Sequence, residues 1–482
     1  MRILVVIQTT GAFLRFFSLM FLAPFAVSLG YGEGRDALVF LGSAVVSAAV
    51  GHGMVRRRHA RTDDLKRIEG LAIVAGSWVL LSWAAAIPYF AAGMGPIDAN
   101  FEAMSGLTTT GATVMRDFSQ YGRGIFFWRS LTQWLGGMGV IALFIAVFPR
   151  LGIGGRQLFF AEAPGPTDEK VAPQIRKTAA ALWSVYAGLT LAQFIALTVA
   201  GMPIYDSACH AMTTLAAGGF SPHPLSIAGY ASPAVEWIII FFMFLAGANF
   251  ALHYRTLRGE LGALPRDEEF RAYAGIVAIA VILLAIALRP QVPDFGESIR
   301  QGMFQALSIL TTTGYASTDF QLWNDQARMV LLALMFIGGC AGSAAGGPKV
   351  VRQVLIARYT LLELHRTVHP RAVLPVKLGG RVVPDEVMRV VLVFFLFYLL
   401  VFAVTTIVVS TLGADLDTAF TAAIACLGNI GPGLSAVGPM ANFADLHPVS
   451  KIALTAAMWI GRLEVLTVLA LLRPEVWRTS QL

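Results

Sequence analysis

The chain is 482 residues long, with 56% hydrophobic residues, 13% charged residues and a mean hydropathy of +0.67. Soluble proteins carry about 25% charged residues, so this composition excludes a soluble enzyme. The net charge of +7 then reads as basic loops orienting a membrane protein rather than as a nucleic-acid surface.

A membrane helix needs about 20 mainly apolar residues. Stretches of that kind predict ten spans, at 3–29, 36–55, 70–94, 125–148, 178–202, 234–254, 272–289, 327–357, 388–412 and 449–472. The first is interrupted by Gln8, Thr9, Thr10 and Arg15 and has no small-residue cleavage site, so it is expected to be a retained span, not a removed signal. With both termini in the cytoplasm, 26 of the 36 Lys and Arg fall on the cytoplasmic side, eight of them in 349–389. That bias predicts cytoplasmic termini. The pair Asp63–Asp64, in the basic loop RRRHARTDDLKR, reads as solvated charge balance. Cys209, Cys340 and Cys426 lack metal-ligand or redox spacing and are expected to pack as small apolar residues. His253 and Asn249 read as helix-to-helix hydrogen bonding.

Four connections on the external side are long but apolar, too short to cross and suited to re-entrant helices. They align without gaps as DANFEAMSGLTTTG (98–111), DSACHAMTTLAAGG (206–219), QGMFQALSILTTTG (301–314) and TAFTAAIACLGNIG (418–431). Alanine fills column six, leucine column ten and glycine column fourteen in every copy: Ala103, Ala211, Ala306, Ala423; Leu107, Leu215, Leu310, Leu427; Gly111, Gly219, Gly314, Gly431. A repeat of this size means a repeated structural unit, here helix, short helix, glycine loop, helix. Four units in one chain can surround a pseudo-fourfold axis. The partial negative charge at each short helix's C-terminus, and backbone carbonyls of a glycine-containing loop, favour a dehydrated cation there. Asp98 and Asp206 open their short helices and are expected to cap free N–H groups.

These residues, with FWRSLTQWLGGMG (127–139), AAGGFS (216–221), ALSILTTTGYAS (306–317), GGCAGSAAGGPKVVR (338–352) and GNIGPG (428–433), resemble the Trk/Ktr/HKT potassium transporter superfamily. Within it they resemble the pore-forming subunit of the bacterial Trk system, the TrkH/TrkG type, over essentially the whole chain. The fold expected is an all-α polytopic membrane protein of about ten transmembrane helices. Two N-terminal helices (1–62) would precede four pseudo-symmetric pore repeats at 63–155, 156–262, 263–370 and 371–482, the third with a broken inner helix. The resemblance implies a potassium-binding filter at Thr109, Thr110 and Gly111; Ala217, Gly218 and Gly219; Thr312, Thr313 and Gly314; and Asn429, Ile430 and Gly431. In related plant proteins a serine at the first filter glycine accompanies sodium transport, so Gly111 favours potassium. Loops two and four lack the hydroxyls of TTTG, which predicts an imperfect fourfold symmetry and weaker coordination.

Ten of the twelve residues from Gly338 to Lys349 are Gly, Ala, Ser or Cys, and with Pro348 they predict a break in the third inner helix. The family resemblance implies an intramembrane gate there, at Gly338, Gly339, Gly342, Ser343, Gly346, Gly347 and Lys349; close helix packing through small residues is the other reading. Arg462, inside an apolar span, either pairs with Glu464 or snorkels; the resemblance implies instead a charge beneath the filter that touches the gating loop. Lys349 fits that role or an interfacial one. The function implied is potassium uptake across the bacterial inner membrane, with potassium as substrate and no covalent cofactor. The resemblance also implies a homodimer and a cytoplasmic nucleotide-binding regulatory ring protein, with no nucleic-acid partner. A proton- or sodium-coupled cation symporter is the alternative. No convergent acid-base, nucleophilic or metal-ligand set supports an enzyme.

Overall fold

The computed structural model describes residues 2–56, 67–146, 171–370 and 374–471. The predicted boundaries at 62/63 and 155/156, the Asp63–Asp64 pair, much of the basic stretch at 149–177 and the basic C-terminal residues lie outside them.

Two leading helices, α1 (Ile3–Gly30, tightened in its middle) and α2 (Gly34–Val55), pack on each other and on the first repeat. The contact between them depends on small residues. A Cβ built on Gly51 would lie 2.8 Å from the Gly11 carbonyl oxygen, and one on Gly11 would strike the Met54 side chain, the close backbone approach that small residues permit in membrane helices. Trp128 joins this pair to the rest: its ring stacks on Phe21 and meets Phe17 and Phe40 edge-on, while its Nε1 donates to the Ala85 carbonyl at 3.1 Å.

The first repeat has outer helix α3 (Arg67–Ala91), short helix α4 (Pro96–Leu107) and inner helix α5 (Arg123–Ala146). The second has α6 (Val171–Val199), α7 (Ile204–Leu215), α8 (Pro233–Ala246) and α9 (Phe250–Leu257). After the one-turn α10 (Ala263–Arg266), the third has α11 (Glu268–Leu288), α12 (Phe295–Leu310), α13 (Asp325–Met335) and α14 (Val350–Val368). A two-stranded hairpin, β1 (Lys377–Leu378) and β2 (Arg381–Val382), turns through Gly379 and Gly380 at positive φ, as a tight hairpin turn requires. The fourth repeat has α15 (Asp385–Thr411), α16 (Leu416–Leu427), α17 (Pro448–Arg462) and α18 (Val465–Leu471). One apolar core runs through all four units and contains the first, third and fourth short helices, while Leu215 of the second packs in an adjoining apolar cluster with Tyr186, Phe242 and Phe250; the C-terminal halves of all four short helices are largely buried.

Among the described residues, six helices are each long and apolar enough to cross a membrane, and seven if the bent pair α8–α9 is one span. Two stretches expected to be continuous are not. The span at 234–254 stops at Ala246 and restarts at Phe250 with a 100° bend. Gly247 there lies against Thr311 and the Tyr273 hydroxyl, leaving no room for a side chain, and the Asn249 side chain accepts from Ala251 N–H to restart the helix. His253 bridges the same bend through Leu245 O at 2.9 Å. The span at 449–472 stops at Arg462, where Glu464 takes φ 66 and pairs with Arg352.

Candidate functional site

The four short helices α4, α7, α12 and α16 end on the leucine of column ten, at Leu107, Leu215, Leu310 and Leu427. In each copy the column-twelve residue then adopts left-handed backbone: Thr109 φ 52, Ala217 φ 53, Thr312 φ 57 and Asn429 φ 55. Its N–H donates back to the column-nine carbonyl, at Gly106, Thr214, Ile309 and Cys426 respectively. In the first, second and fourth copies the column-thirteen N–H donates to the column-eight carbonyl at 2.8 Å. This is a Schellman cap in those three copies; in the third, Gly314 N–H donates to the column-eight carbonyl of Ser308 at 3.0 Å instead, and in all four the chain is turned out of the helix. The column-fourteen glycines follow at φ 83 (Gly111), 77 (Gly219), 79 (Gly314) and 104 (Gly431).

These loops meet in cyclic order. A Cβ on Gly111 would lie 2.2 Å from Gly218 O; on Gly219, 2.0 Å from Thr313 O; on Gly314, 2.0 Å from Ile430 O; and on Gly431, 2.7 Å from Thr110 O. Each glycine faces the column-thirteen carbonyl oxygen of the next loop, and the fourth closes on the first. Any side chain at these positions would meet backbone, so glycine is required by space as well as by φ.

Side chains differ from loop to loop but brace the same frame. Thr110 and Thr313 exchange hydroxyl hydrogen bonds of 2.8 Å with Thr108 and Thr311, which in turn donate to Met104 O and Leu307 O at 2.7 Å. Asn429 supplies what its loop lacks, donating to Thr110 Oγ1 at 2.9 Å and to Met458 O at 3.0 Å, so that loop four is tied to loop one and to α17. The backbone is thus far closer to fourfold than the loop sequences suggest.

Behind the ring lies a buried ion pair that sequence reasoning missed. Arg129 Nε donates to Glu102 Oε1 at 2.8 Å and its terminal nitrogens to Ser221 O and Thr113 Oγ1, with the guanidinium 3.9 Å above the Phe220 ring. Glu102 also accepts from Val114 N–H at 2.9 Å. Column five has a partner of this kind in two other copies: His210 Nε2 meets Ser221 Oγ at 3.1 Å and Gln305 Nε2 donates to Ser317 Oγ at 3.3 Å. Column-five polarity, in Glu102, His210 and Gln305, was the available signal. Asp98 and Asp206 do not cap their helices as expected. The N-cap positions are Gly95 and Pro203, and Asp98 lies in the first turn, where Lys451 Nζ reaches it at 2.6 Å.

The segment between α13 and α14 runs directly against this ring. Gly346 N–H donates to Thr312 Oγ1 at 2.6 Å, and a Cβ on Gly346 would lie 2.5 Å from Gly428 O. The break in the second repeat holds the same segment: Cys340 N–H donates to Gly247 O at 2.9 Å, and Phe250 N–H to Gly342 O at 3.1 Å. Ser343 Oγ donates to Cys340 O at 2.6 Å, while Gly338 and Gly347 pack Cα to backbone and Gly339 O accepts from Val350 N–H. Glu269 Oε1 on α11 accepts from Ala341 N–H at 2.7 Å and Val351 N–H at 3.1 Å, clasping both ends. Two buried cations touch the segment: Lys349 Nζ donates to Ala345 O, and an Arg462 terminal nitrogen donates to Ala344 O at 3.1 Å. Arg462 Nε and its other terminal nitrogen have no hydrogen-bond partner among the described residues. Its sequence neighbour Glu464 pairs with Arg352 at 2.6 Å instead. The three cysteines are free and buried, and no cluster of His, Cys, Asp or Glu among the described residues could hold a metal.

Comparison with known proteins places this geometry. The family model described as TrkH, a cation transport protein, matches residues 37–267 and 277–478. The Trk system potassium uptake protein TrkH of Salmonella typhimurium is 39% identical over 478 residues, spanning 98% of each chain. The Trk system potassium uptake protein TrkG of Escherichia coli is 35% identical over 482 residues, covering 98% of this chain and 99% of its own. The crystal structure of the potassium transporter TrkH from Vibrio parahaemolyticus superposes with a TM-score of 0.91 at 36% identity, over 99% of this chain and all of that one.

Proposed function

Because this chain belongs to the TrkH family of cation transport proteins, a family of multi-pass membrane transporters and not of enzymes, we propose that it forms the potassium pathway of a bacterial Trk-type uptake system. Potassium is the substrate, no covalent cofactor takes part, and the site is the bacterial inner membrane with both termini in the cytoplasm. The relatives it matches are named for potassium uptake.

The observation that carries the reading is the closed ring. Four left-handed turns at matched columns, each with a glycine against the next loop's carbonyl, set backbone oxygens around one axis at the buried C-terminal ends of four helices. Those ends bear partial negative charge, and carbonyl oxygens can replace the hydration shell of a potassium ion. Thr109 to Gly111, Ala217 to Gly219, Thr312 to Gly314 and Asn429 to Gly431 are the filter residues in this reading. The segment from Gly338 to Lys349, with Arg462 against it, is the gate. The pore would work as a homodimer controlled by a cytoplasmic nucleotide-binding ring protein.

The test is rubidium and sodium flux in proteoliposomes. Gly111→Ser and Gly314→Ser, which force a side chain onto a neighbouring carbonyl, are expected to lower the preference for rubidium over sodium. Unchanged selectivity in well-folded protein removes the filter assignment.

A further inference from the structure

Loop two differs from the other three at column thirteen. Thr110, Thr313 and Ile430 carry side chains there, and Gly218 carries none. The space is nevertheless occupied. A Cβ on Gly218 would lie 2.4 Å from Gln133 Cδ and 2.5 Å from its Oε1, so the carboxamide of Gln133, a residue of the first repeat's inner helix α5, stands where the loop's own side chain would be. The amide is fully buried and both ends are used: Nε2 donates to Gly218 O at 2.5 Å, and Oε1 accepts from Phe220 N–H at 3.0 Å. Gln133 therefore holds the two peptide groups on either side of Gly219. Gly218 O is also the oxygen that faces Gly111, and Gln133 Nε2 lies 3.8 Å from the position of a Cβ on Gly111. The carboxamide sits at the joint between loops one and two.

We propose that Gln133 is a specificity-determining positioning residue, a side chain supplied in trans by repeat one that sets the backbone of filter loop two. The proposal rests on the reading of the ring as a potassium filter. A buried carboxamide with both ends bonded to peptide groups leaves one low-energy arrangement, because reversing it would set donor against donor and acceptor against acceptor. Its removal would leave a buried carbonyl and a buried N–H free to reorient, and a loop without hydroxyls has no side chain of its own to restrain them. A carbonyl that also accepts from Nε2 is restrained in direction, and discrimination between cations of different size depends on the placement and number of such oxygens.

Five variants test this, with rubidium and sodium flux measured on equal amounts of monodisperse protein. Gln133→Met keeps the length of the side chain and removes both hydrogen bonds; the rubidium over sodium ratio is expected to fall about tenfold, the effect of one or two buried hydrogen bonds. Gly218→Thr alone is expected to lower flux, since its side chain collides with Gln133. Gln133→Ala combined with Gly218→Thr restores a side chain to the loop, and its rubidium over sodium ratio is expected to exceed that of Gln133→Ala alone. Wild-type selectivity in Gln133→Met overturns the proposal, as does strict additivity of Gln133→Ala and Gly218→Thr in the double variant. Gly314→Ser distinguishes failure of the Gln133 role from failure of the filter itself. If it alters selectivity while Gln133→Met does not, the role of Gln133 fails and the filter stands; if neither does, the filter reading fails with it.

Discussion

Thr109, Ala217, Thr312 and Asn429 share a backbone conformation that glycine usually supplies at a helix end. Left-handed backbone costs an ordinary L-residue about 1–2 kcal/mol, and the Schellman hydrogen bonds and dense burial around each turn offset it. The alignment made columns six, ten and fourteen legible, since identity in four copies needs no structure to be seen. Column twelve was not legible, because Thr, Ala, Thr and Asn have in common only a φ value. Gln133 and the Arg129–Glu102 pair were hidden for another reason: their partners lie 85 and 27 residues away in sequence, and apart from the polarity of column five nothing local marks the contact. The ion pair leads to a prediction at this scale. Arg129→Met leaves the Glu102 carboxylate buried without its cation, a loss of about 3–5 kcal/mol. A clear fall in thermal midpoint in detergent is expected, larger than for Arg116→Met, whose partner Asp445 is exposed. Equal midpoints for the two variants would contradict the assignment of Arg129 as a brace behind the ring.

Among the described residues, the inner helices separate into one continuous member and three that are interrupted. The break in the third was legible from its small residues and Pro348. Those at Gly247 and Leu463 were not, because each lies in an apolar stretch whose composition reads as helix, and the interruption is dictated by neighbours: Thr311 and Tyr273 against Gly247, and Arg352 against Glu464. The segment 338–348 is held at many points, by Gly247 O, by Thr312 Oγ1, by Glu269 and by Arg462. Deleting part of it, or making Arg462→Ala, is expected to raise basal rubidium flux in proteoliposomes without any partner present; equal or lower flux in well-folded protein counts against a gate. Glu269→Leu tests the clasp separately. It leaves Ala341 N–H and Val351 N–H without an acceptor, and a buried donor left unsatisfied costs about 1–3 kcal/mol. A rise in basal flux of about tenfold or more is expected, with no change in cation preference.

For the whole molecule, channel-like passage and coupled symport make opposite demands. Interrupted helices at the substrate site also occur in coupled transporters, so the distinction belongs to flux and not to shape. Through a ring of backbone oxygens, uptake is expected to follow an imposed potassium gradient and to be indifferent to proton or sodium gradients of either sign; strict dependence on one of them would establish coupling instead. The regulatory partner is tested by pull-down from membranes with and without the large basic loop at 349–389, within which the hairpin meets α11: Gly379 N–H donates to the Glu268 carboxylate, which also pairs with Arg358 of α14. Loss of the captured protein on deletion is expected.

The ring has a further consequence, which concerns inheritance. In a pore assembled from four identical subunits, one altered codon changes four positions at once, and a small adjustment of the filter is out of reach. Here the four glycines belong to one reading frame and sit in four unlike surroundings, with Gln133 behind one loop and Asn429 within another. A single codon therefore moves one quarter of the ring, and in the proposed filter cation preference would drift by small steps while the other three loops keep the pathway intact.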